Sequence, residues 1–286
     1  MRFHEYATPE IKLFHSTVTP GKRKYRAHHH VECELSLFIN GEGIYTVGNK
    51  EYSFRKGDVF LFGSNEVHCI TNIYSGEHFD LLNIHFEPRL LWNNDNDISQ
   101  LLKLFNQRSD TFSNRISRSN PETYKIREKI IQIENEFQNK DVGYELSIKL
   151  LLYTVLLIIL RKYNYVNHMS EPVSNSHNLP QLSSAMDYIN LHINEELTLD
   201  DIASHANLSK AYFSTLFSKY NGLSLWEYIT IRRIEKAVEL LKHTSMTKLD
   251  IAQQCGFSSS SNFYKAFRKI TGKTPKAYQT DVSSEK

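Results

Sequence analysis

Hydrophobic and polar positions follow two different periods along this chain. Up to about Phe86, apolar side chains come in short runs broken by turn residues. Residues 34–40 stop at Gly41-Glu42-Gly43, residues 44–47 at Gly48-Asn49-Lys50, residues 51–54 at Lys56-Gly57-Asp58, and residues 59–62 at Gly63-Ser64-Asn65. A last run covers 79–86. Such β-rich runs at about ten-residue spacing, with Gly and Asn between them, predict an antiparallel sandwich or barrel.

After Pro88 the period lengthens to that of a helix. Residues 98–106 form a short amphipathic stretch, and Pro121 stands where a longer helix would open. Ile126, Ile130, Ile133 and Phe137 then recur at helical spacing, and beyond Gly143 a second long helix is predicted over 146–163. Its run 150–160 is apolar nearly all round, yet is about half the ~20 residues that span a bilayer. Lys149, Arg161 and Lys162 flank it closely, so it is expected to bury against its own barrel or a partner subunit. Residues 166–181 hold Pro172 and Pro180, show little periodicity and read as a linker. The remainder is all helical. The expected organisation is therefore α+β with two domains, 1–165 and 182–286, joined by 166–181.

Composition narrows the classes. Of 286 residues, 40% are hydrophobic and only 18 are Gly or Pro (11 and 7), which excludes a disordered or collagenous chain. Three cysteines, Cys33, Cys69 and Cys255, lack metal-knuckle spacing, and their odd number argues against a disulfide framework. A reducing cytoplasm is the expected compartment. Arg2, His4 and Glu5 leave no room for the apolar core of a signal peptide. The formal charge of +2 declares no partner, but Lys265, Arg268, Lys269, Lys273 and Lys276 follow one another with no acid between Ser258 and Lys276.

The strongest signal is an internal repeat. Asp201-Ile202-Ala203 returns as Asp250-Ile251-Ala252, and Phe213, Phe217, Lys219, Gly222 and Tyr228 return as Phe263, Phe267, Lys269, Gly272 and Tyr278. Each copy reads as helix, tight turn, helix. Asp200 and Asp201 suit the positive end of a first helix, and Asn207 and Gly256 suit a left-handed turn. Ser209, and Ser258 or a neighbour, can cap the second helix. Ile202, Leu208, Phe213, Leu216 and Phe217 make one core; Ile251, Phe257, Phe263 and Phe267 make the other. A helix over about 225–243 joins the copies. At ~1.5 Å per residue it spans roughly 28 Å, near the ~34 Å between successive major-groove segments on one DNA face.

These residues resemble the AraC family of bacterial transcription regulators. The resemblance covers about 100 residues. It rests on Asp-Ile-Ala, the Ser-x-x-Tyr-Phe-x-x-Leu-Phe run at 209–217, Arg-Arg-Ile-x-x-Ala-x-x-Leu-Leu at 232–241, Ile-Ala-x-x-Cys-Gly-Phe at 251–257 and Thr-Pro-x-x-Tyr at 274–278. It implies two helix-turn-helix units on adjacent major-groove segments of double-stranded DNA. By position, the first reading helix presents Lys210, Ala211, Ser214 and Thr215, and the second Ser260, Ser261, Asn262 and Lys265. Asn262 suits adenine, Lys265 guanine, and Ala211 a thymine methyl. Lys219, Arg268 and Lys269 are expected on phosphates. Arg233 is open to a structural bridge with Glu227 or Asp201. Ser, Thr and Ala stand where many relatives carry longer readers, so the first unit is expected to read bases weakly or through DNA shape.

The strand-rich half resembles a cupin, a jelly-roll-like barrel. His28-x-His30-x3-Glu34-x6-Gly41 fits the first cupin motif, and Gly57-x5-Gly63-x4-His68-x3-Asn72 fits the second, with Gly63 and Asn65 in place of the usual Pro and Gly. In metal cupins the positions of His28, His30, Glu34 and His68 hold one divalent ion. Sensor cupins of AraC regulators often keep the pattern without a metal, and no metal or cofactor is expected here. A continuous strand would place His28, His30, Glu34, Ser36, Phe38 and Asn40 on one face. Asn83 and His85 share parity with Leu81 on the last strand. The expected effector pocket is thus His28, His30, Glu34, Asn40, His68, Asn83 and His85. Nearby aromatics Tyr45, Phe54, Phe60, Phe62 and Trp92 would suit a saccharide, and residues 86–92 resemble the barrel exit of sugar-sensing members. The expected function is a sugar-responsive activator rather than an enzyme, acting as a homodimer and, by family analogy, on RNA polymerase, with no membrane partner. A metal-dependent cupin enzyme fused to a DNA-binding module, and a ligand-independent dimeric regulator, stay open as alternatives.

Overall fold

The strand runs of the first half build two facing antiparallel sheets. The computed structural model describes residues 2–8, 10–18, 30–74, 79–92, 96–167 and 178–283. Its strands are β1 (Arg2–Ala7), β2 (Ile11–Val18), β3 (Cys33–Asn40), β4 (Gly43–Val47), β5 (Lys50–Phe54), β6 (Val59–Phe62), β7 (His68–Ile73) and β8 (Phe79–Phe86). One sheet has the order β1-β2-β8-β3-β6 and the other β5-β4-β7. Five strands match the sequence pattern. β1, β2 and β7 do not stand out in it, because their polar positions and missing glycine turns hide them. They are specified by pairing: β2 runs in unbroken register along β8, from Ile11 opposite Phe86 to Val18 opposite Phe79.

Part of the space between the sheets is filled by Phe38, Tyr45, Phe54, Phe60, Phe62, Ile70, Phe79 and Leu81. Phe38 and Phe54 stack with centroids 4.0 Å apart. β3 is buried from Cys33 to Phe38 although its residues alternate in direction. The reason is cover on both faces. Phe38 belongs to the inter-sheet core, while Leu35, Leu37, Leu61, Leu82 and Ile84 are buried on the opposite face. Phe86 against Phe105 and Tyr6 against Phe137 mark where the following helical segment packs on that face.

That segment begins with short turns at Pro88–Leu91 and Gln100–Leu102 and with α1 (Asn96–Ser99) and α2 (Lys103–Asn106). Two long helices follow, α3 (Glu122–Asn139) and α4 (Tyr144–Lys162). Pro121 is the N-cap of α3, and Gly143, at φ 82°, separates the pair. α4 buries Ile148, Leu152, Val155, Leu156 and Ile159 within its own unit, yet leaves Leu146 62% and Leu150 57% exposed.

The chain divides into two units, Met1–Ala27 with Glu32–Leu179, and His28–Val31 with Pro180–Lys286. Val166 bridges to Arg108, and α5 (Leu179–Leu191) opens inside the stretch read as linker, of which 168–177 lie outside the described residues. The second unit continues with α6 (Leu199–His205), α7 (Lys210–Asn221), α8 (Leu225–His243), α9 (Lys248–Gln254), α10 (Ser260–Thr271) and α11 (Pro275–Ser283). The joining helix α8 has the expected bounds. Ser224 and Glu227 form a reciprocal capping box at its start, satisfying backbone donors that the helix itself cannot.

Candidate nucleic-acid interface and ligand site

Each repeat copy is built by the same local chemistry. Thr198 Oγ1 accepts from the Asp201 amide at 3.1 Å, and Thr247 Oγ1 from the Asp250 amide at 3.2 Å. The turns are made by Asn207 at φ 52° and Gly256 at φ 80°. Gly256 has a second reason to be glycine: a Cβ there would lie 2.9 Å from the backbone of Asn194. Ser209 caps α7, and Ser259, the neighbour of Ser258, caps α10 by accepting from the Asn262 amide at 3.2 Å. Phe213, Leu216 and Phe217 bury one side of α7, and Phe263 and Phe267 bury one side of α10.

The burial of those rings turns the expected readers outward. Lys210, Ala211, Thr215 and Lys219 are exposed on α7, with Ser214 half-buried. Ser260, Ser261, Asn262, Lys265, Arg268 and Lys269 are exposed on α10. The first set is partly engaged already. Lys210 Nζ lies 3.1 Å from Asp200 Oδ1, and the Thr215 hydroxyl donates to the Ala211 carbonyl at 3.0 Å. Two exposed aromatics stand among these residues and are not in the expected reader sets. Tyr264, 41% exposed, is the repeat counterpart of Ser214, and Tyr212 that of Asn262. The offset of 50 residues was the signal that pointed to Tyr264.

Arg233 bridges neither Glu227 nor Asp201. Glu227 is held in the α8 capping box and Asp201 in the α6 cap. Instead Arg233 Nε donates to the Ile193 carbonyl at 2.8 Å and Nη2 to the Glu195 carbonyl at 2.6 Å. Burial pulls its pKa below the ordinary guanidinium value.

In the first unit, a carboxylate sits in the sandwich under two imidazoles. Glu34 is fully buried, opposite Phe62 on β6 and His85 on β8. Its Oε2 lies 3.1 Å from His68 Nε2 and 3.2 Å from His85 Nε2, while Ser36 donates to Oε1 at 2.5 Å. His68 reaches across from the other sheet. Its ring stacks on Phe62 at 4.3 Å, and its Nδ1 lies 2.7 Å from the Glu66 carbonyl. A carbonyl only accepts, so Nδ1 carries a proton there and Nε2 is turned to Glu34. Burial, with the Glu34 charge behind it, pushes the Tyr45 phenol well above its usual pKa. Asn83 pairs in register with Phe14 and Ser36, two residues from His85, and its buried Oδ1 has no hydrogen-bond partner among the described residues. Phe14 meets the His85 ring edge-on at 4.8 Å.

Glu34, His68, His85 and Asn83 therefore come together as expected. Asn40 does not. It pairs with Asp80 beyond a bulge after Phe38, six residues from Glu34 and hence about 20 Å along a strand. The expected continuous strand from His28 also fails: β3 begins at Cys33, after a bend at Val31-Glu32, so strand parity does not carry back to His30. His28 lies outside the described residues. His30 falls in the stretch His28–Val31 that divides with the second unit, apart from Glu34, His68 and His85. The aromatics Tyr45, Phe54, Phe60 and Phe62 are spent on the core, and Trp92 is buried.

A family model described as an AraC-like ligand binding domain matches residues 13–156, and one described as a helix-turn-helix domain matches 202–281. The melibiose operon regulatory protein of Escherichia coli K12 is 25% identical over 285 residues, covering 97% of this chain and 89% of that protein. The HTH-type transcriptional activator RhaR of Cronobacter sakazakii is 27% identical, covering 96% and 93%. The crystal structure of ToxT from Vibrio cholerae shares the fold, with a TM-score of 0.60 at 15% identity over 95% of this chain and 98% of that one. Among the described residues, no helix is long and apolar enough to cross a membrane.

Proposed function

This chain belongs to the AraC family of transcription regulators, and we propose that it is an activator that answers to a sugar held between the sheets of its first unit. The coarser statement stands on the family itself: the protein is a DNA-binding transcription regulator with a ligand-binding domain, and not an enzyme. The finer reading concerns the ligand, its residues and the output.

The observation that carries the ligand reading is the polar cluster of buried Glu34 and His68 with half-buried His85 and Asn83. Polar groups in a sandwich core cost stability unless they are engaged, and Asn83 Oδ1 has no partner among the described residues. A hydroxyl both donates and accepts, so a polyol satisfies Asn83 Oδ1 with one hydroxyl proton and takes a hydrogen bond from His85. The Phe14 ring supplies an apolar surface beside them. The name of the melibiose relative and the activator name of the other relative support a sugar and a positive output. His30 borders the cluster in sequence; neither His28 nor Asn40 is needed for this reading.

On DNA, α7 and α10 lie in successive major-groove segments. Asn262, Lys265 and Tyr264 read base edges with Ser260 and Ser261 beside them, and Lys219, Arg268 and Lys269 hold phosphates. Lys210, Ala211, Ser214 and Thr215 offer short or engaged side chains, so α7 positions more than it reads. The exposed Leu146 and Leu150 of α4 serve a homodimer, which doubles the DNA contacts. Action is cytoplasmic, through contact with RNA polymerase. Sugar binding shifts the regulator between two states by its differential affinity for them.

The test is thermal unfolding of the full chain against a panel of mono- and oligosaccharides, with and without divalent metals. A ligand at 100 times its Kd adds ~2.7 kcal/mol and raises the midpoint by a few degrees. The expected result is a shift with one sugar class that is lost in Asn83→Leu. A shift with metal alone, or none with any sugar, overturns the sugar reading.

A further inference from the structure

The second unit contains a cavity of about 470 Å3 whose walls come from both repeat copies. Residues 194–197, ahead of α6, form one side. The turn Gly256-Phe257-Ser258, ahead of α10, forms another, and Trp226 and Arg233 of α8 stand between them. The volume falls in the range of small-molecule pockets, and no role in the regulator described above accounts for it.

Its chemistry is specific. The Arg233 guanidinium is half-buried; among the described residues it donates to two backbone carbonyls, at Ile193 and Glu195, and lies over the Phe257 ring at 6.0 Å. Among the described residues no carboxylate lies within ion-pair distance of it. Two of its five N–H groups are used by those carbonyls, which leaves donors for an acceptor. The Trp226 side chain is 49% exposed, and its indole N–H has no acceptor among the described residues. Glu196 is exposed and lacks a cationic partner among the described residues, whereas Glu195 is held by His192 at 2.9 Å. Leu197 and Phe257 supply apolar surface.

These charges select the ligand. A simple anion meets Arg233 but is opposed by Glu196. A simple cation meets Glu196 but is opposed by Arg233. DNA phosphate is disfavoured by the two adjacent glutamates. We propose that this cavity is a second effector site, for a small zwitterion of the apolar α-amino acid type. Its carboxylate sits on Arg233 and the Trp226 indole N–H, its ammonium on Glu196, and its side chain on Leu197 and Phe257. Because the walls precede α6 and α10, an occupant ties the two copies together at one spacing. DNA affinity then changes with occupancy, and the coupling is reciprocal.

The test uses L-leucine as probe, with two half-charged analogues, 3-methylbutylamine and 4-methylpentanoate. The chain has two tryptophans, so Trp92→Phe leaves Trp226 as the sole tryptophan emitter. The expected result is a saturable change of Trp226 emission with L-leucine and binding at least about tenfold weaker for either analogue, the size of one lost charge contact. Glu196→Gln, an exposed substitution that leaves the fold intact, removes the response. Calorimetric titration of the unaltered chain gives the same ranking should Trp92→Phe fold poorly. No saturable response to L-leucine at millimolar concentration, or equal binding of either analogue, overturns the proposal. The sugar-induced thermal shift persists in Glu196→Gln, which separates this site from the one in the first unit.

Discussion

The two helix-turn-helix copies have the same skeleton and different outward chemistry. Both open on a threonine cap, turn through a left-handed residue and bury two phenylalanines four positions apart. Yet α7 presents Lys210, Ala211, Ser214 and Thr215, of which Lys210 faces Asp200 and the Thr215 hydroxyl is turned back on its own helix. α10 presents Asn262, Tyr264, Lys265, Arg268 and Lys269, all exposed, with no acidic residue on that helix. Inward positions obey packing, which is the same problem in both copies. Outward positions are free of that constraint and are where recognition differs.

The comparison breaks most sharply at the shared core. Phe267→Ala and Phe217→Ala are each expected to cost about 3–5 kcal/mol in denaturant unfolding of the second unit, since each removes a fully buried ring. Unequal losses would show that the copies do not rely on equivalent cores. Next come the readers. Lys265→Ala is expected to weaken specific binding by about 1–3 kcal/mol and relax the preference at one base pair. Thr215→Ala, its repeat counterpart, should change affinity by less than about 0.5 kcal/mol. Gel-shift titration over a set of single-base operator variants measures both, and equal effects would erase the asymmetry. Lys269→Ala should weaken all sequences alike and lower the salt slope by about 1; a change confined to one base pair would make it a reader.

Two smaller effects sharpen the local geometry. Ser259→Ala is expected to cost about 1 kcal/mol through the lost cap, and Ser258→Ala almost nothing. The same contrast can be put to the first unit by pH. Burial works against the Glu66 charge, but two hydrogen bonds from Arg108 at 2.6 and 3.0 Å outweigh it and hold its pKa below the ordinary value. A lowered folded pKa stabilises above the unfolded value of about 4.5 and is lost as pH falls through the folded one. Acid unfolding of Glu66→Gln should therefore be less steep than that of the parent; identical profiles would remove Glu66 from the account.

How much was legible follows from the range of each interaction. The repeat, its caps, its left-handed turns and the bounds of α8 were readable because each is settled within a few residues. Glu34, Asn83 and His85 were readable as types on plausible strands, and His68 through the spacing of the second cupin-like motif, on a strand the pattern did not predict. What was hidden was non-local. β1 and β2 carry no turn glycines and are strands only by pairing with one another and with β8. Asn40 shares the strand of Glu34 but not its site, because a bulge and the length of β3 intervene. Tyr264 stands 50 residues on from Ser214, so the repeat makes it legible as a counterpart on the outward side of α10.

By itself the amino-acid pattern determined that the chain has a strand-rich half and a duplicated helical half, and which side of each reading helix is buried. Periodicity and capping are local, and local signals survive without knowledge of partners. Only the tertiary structure decided that Arg233 holds backbone carbonyls rather than an acid. It alone brought His68 from one sheet onto the Glu34 of the other, and left Asn83 Oδ1 buried and unengaged among the described residues. Those outcomes depend on which distant segments share a dielectric boundary and a ladder of hydrogen bonds, and neither is written in the spacing of residues along the chain.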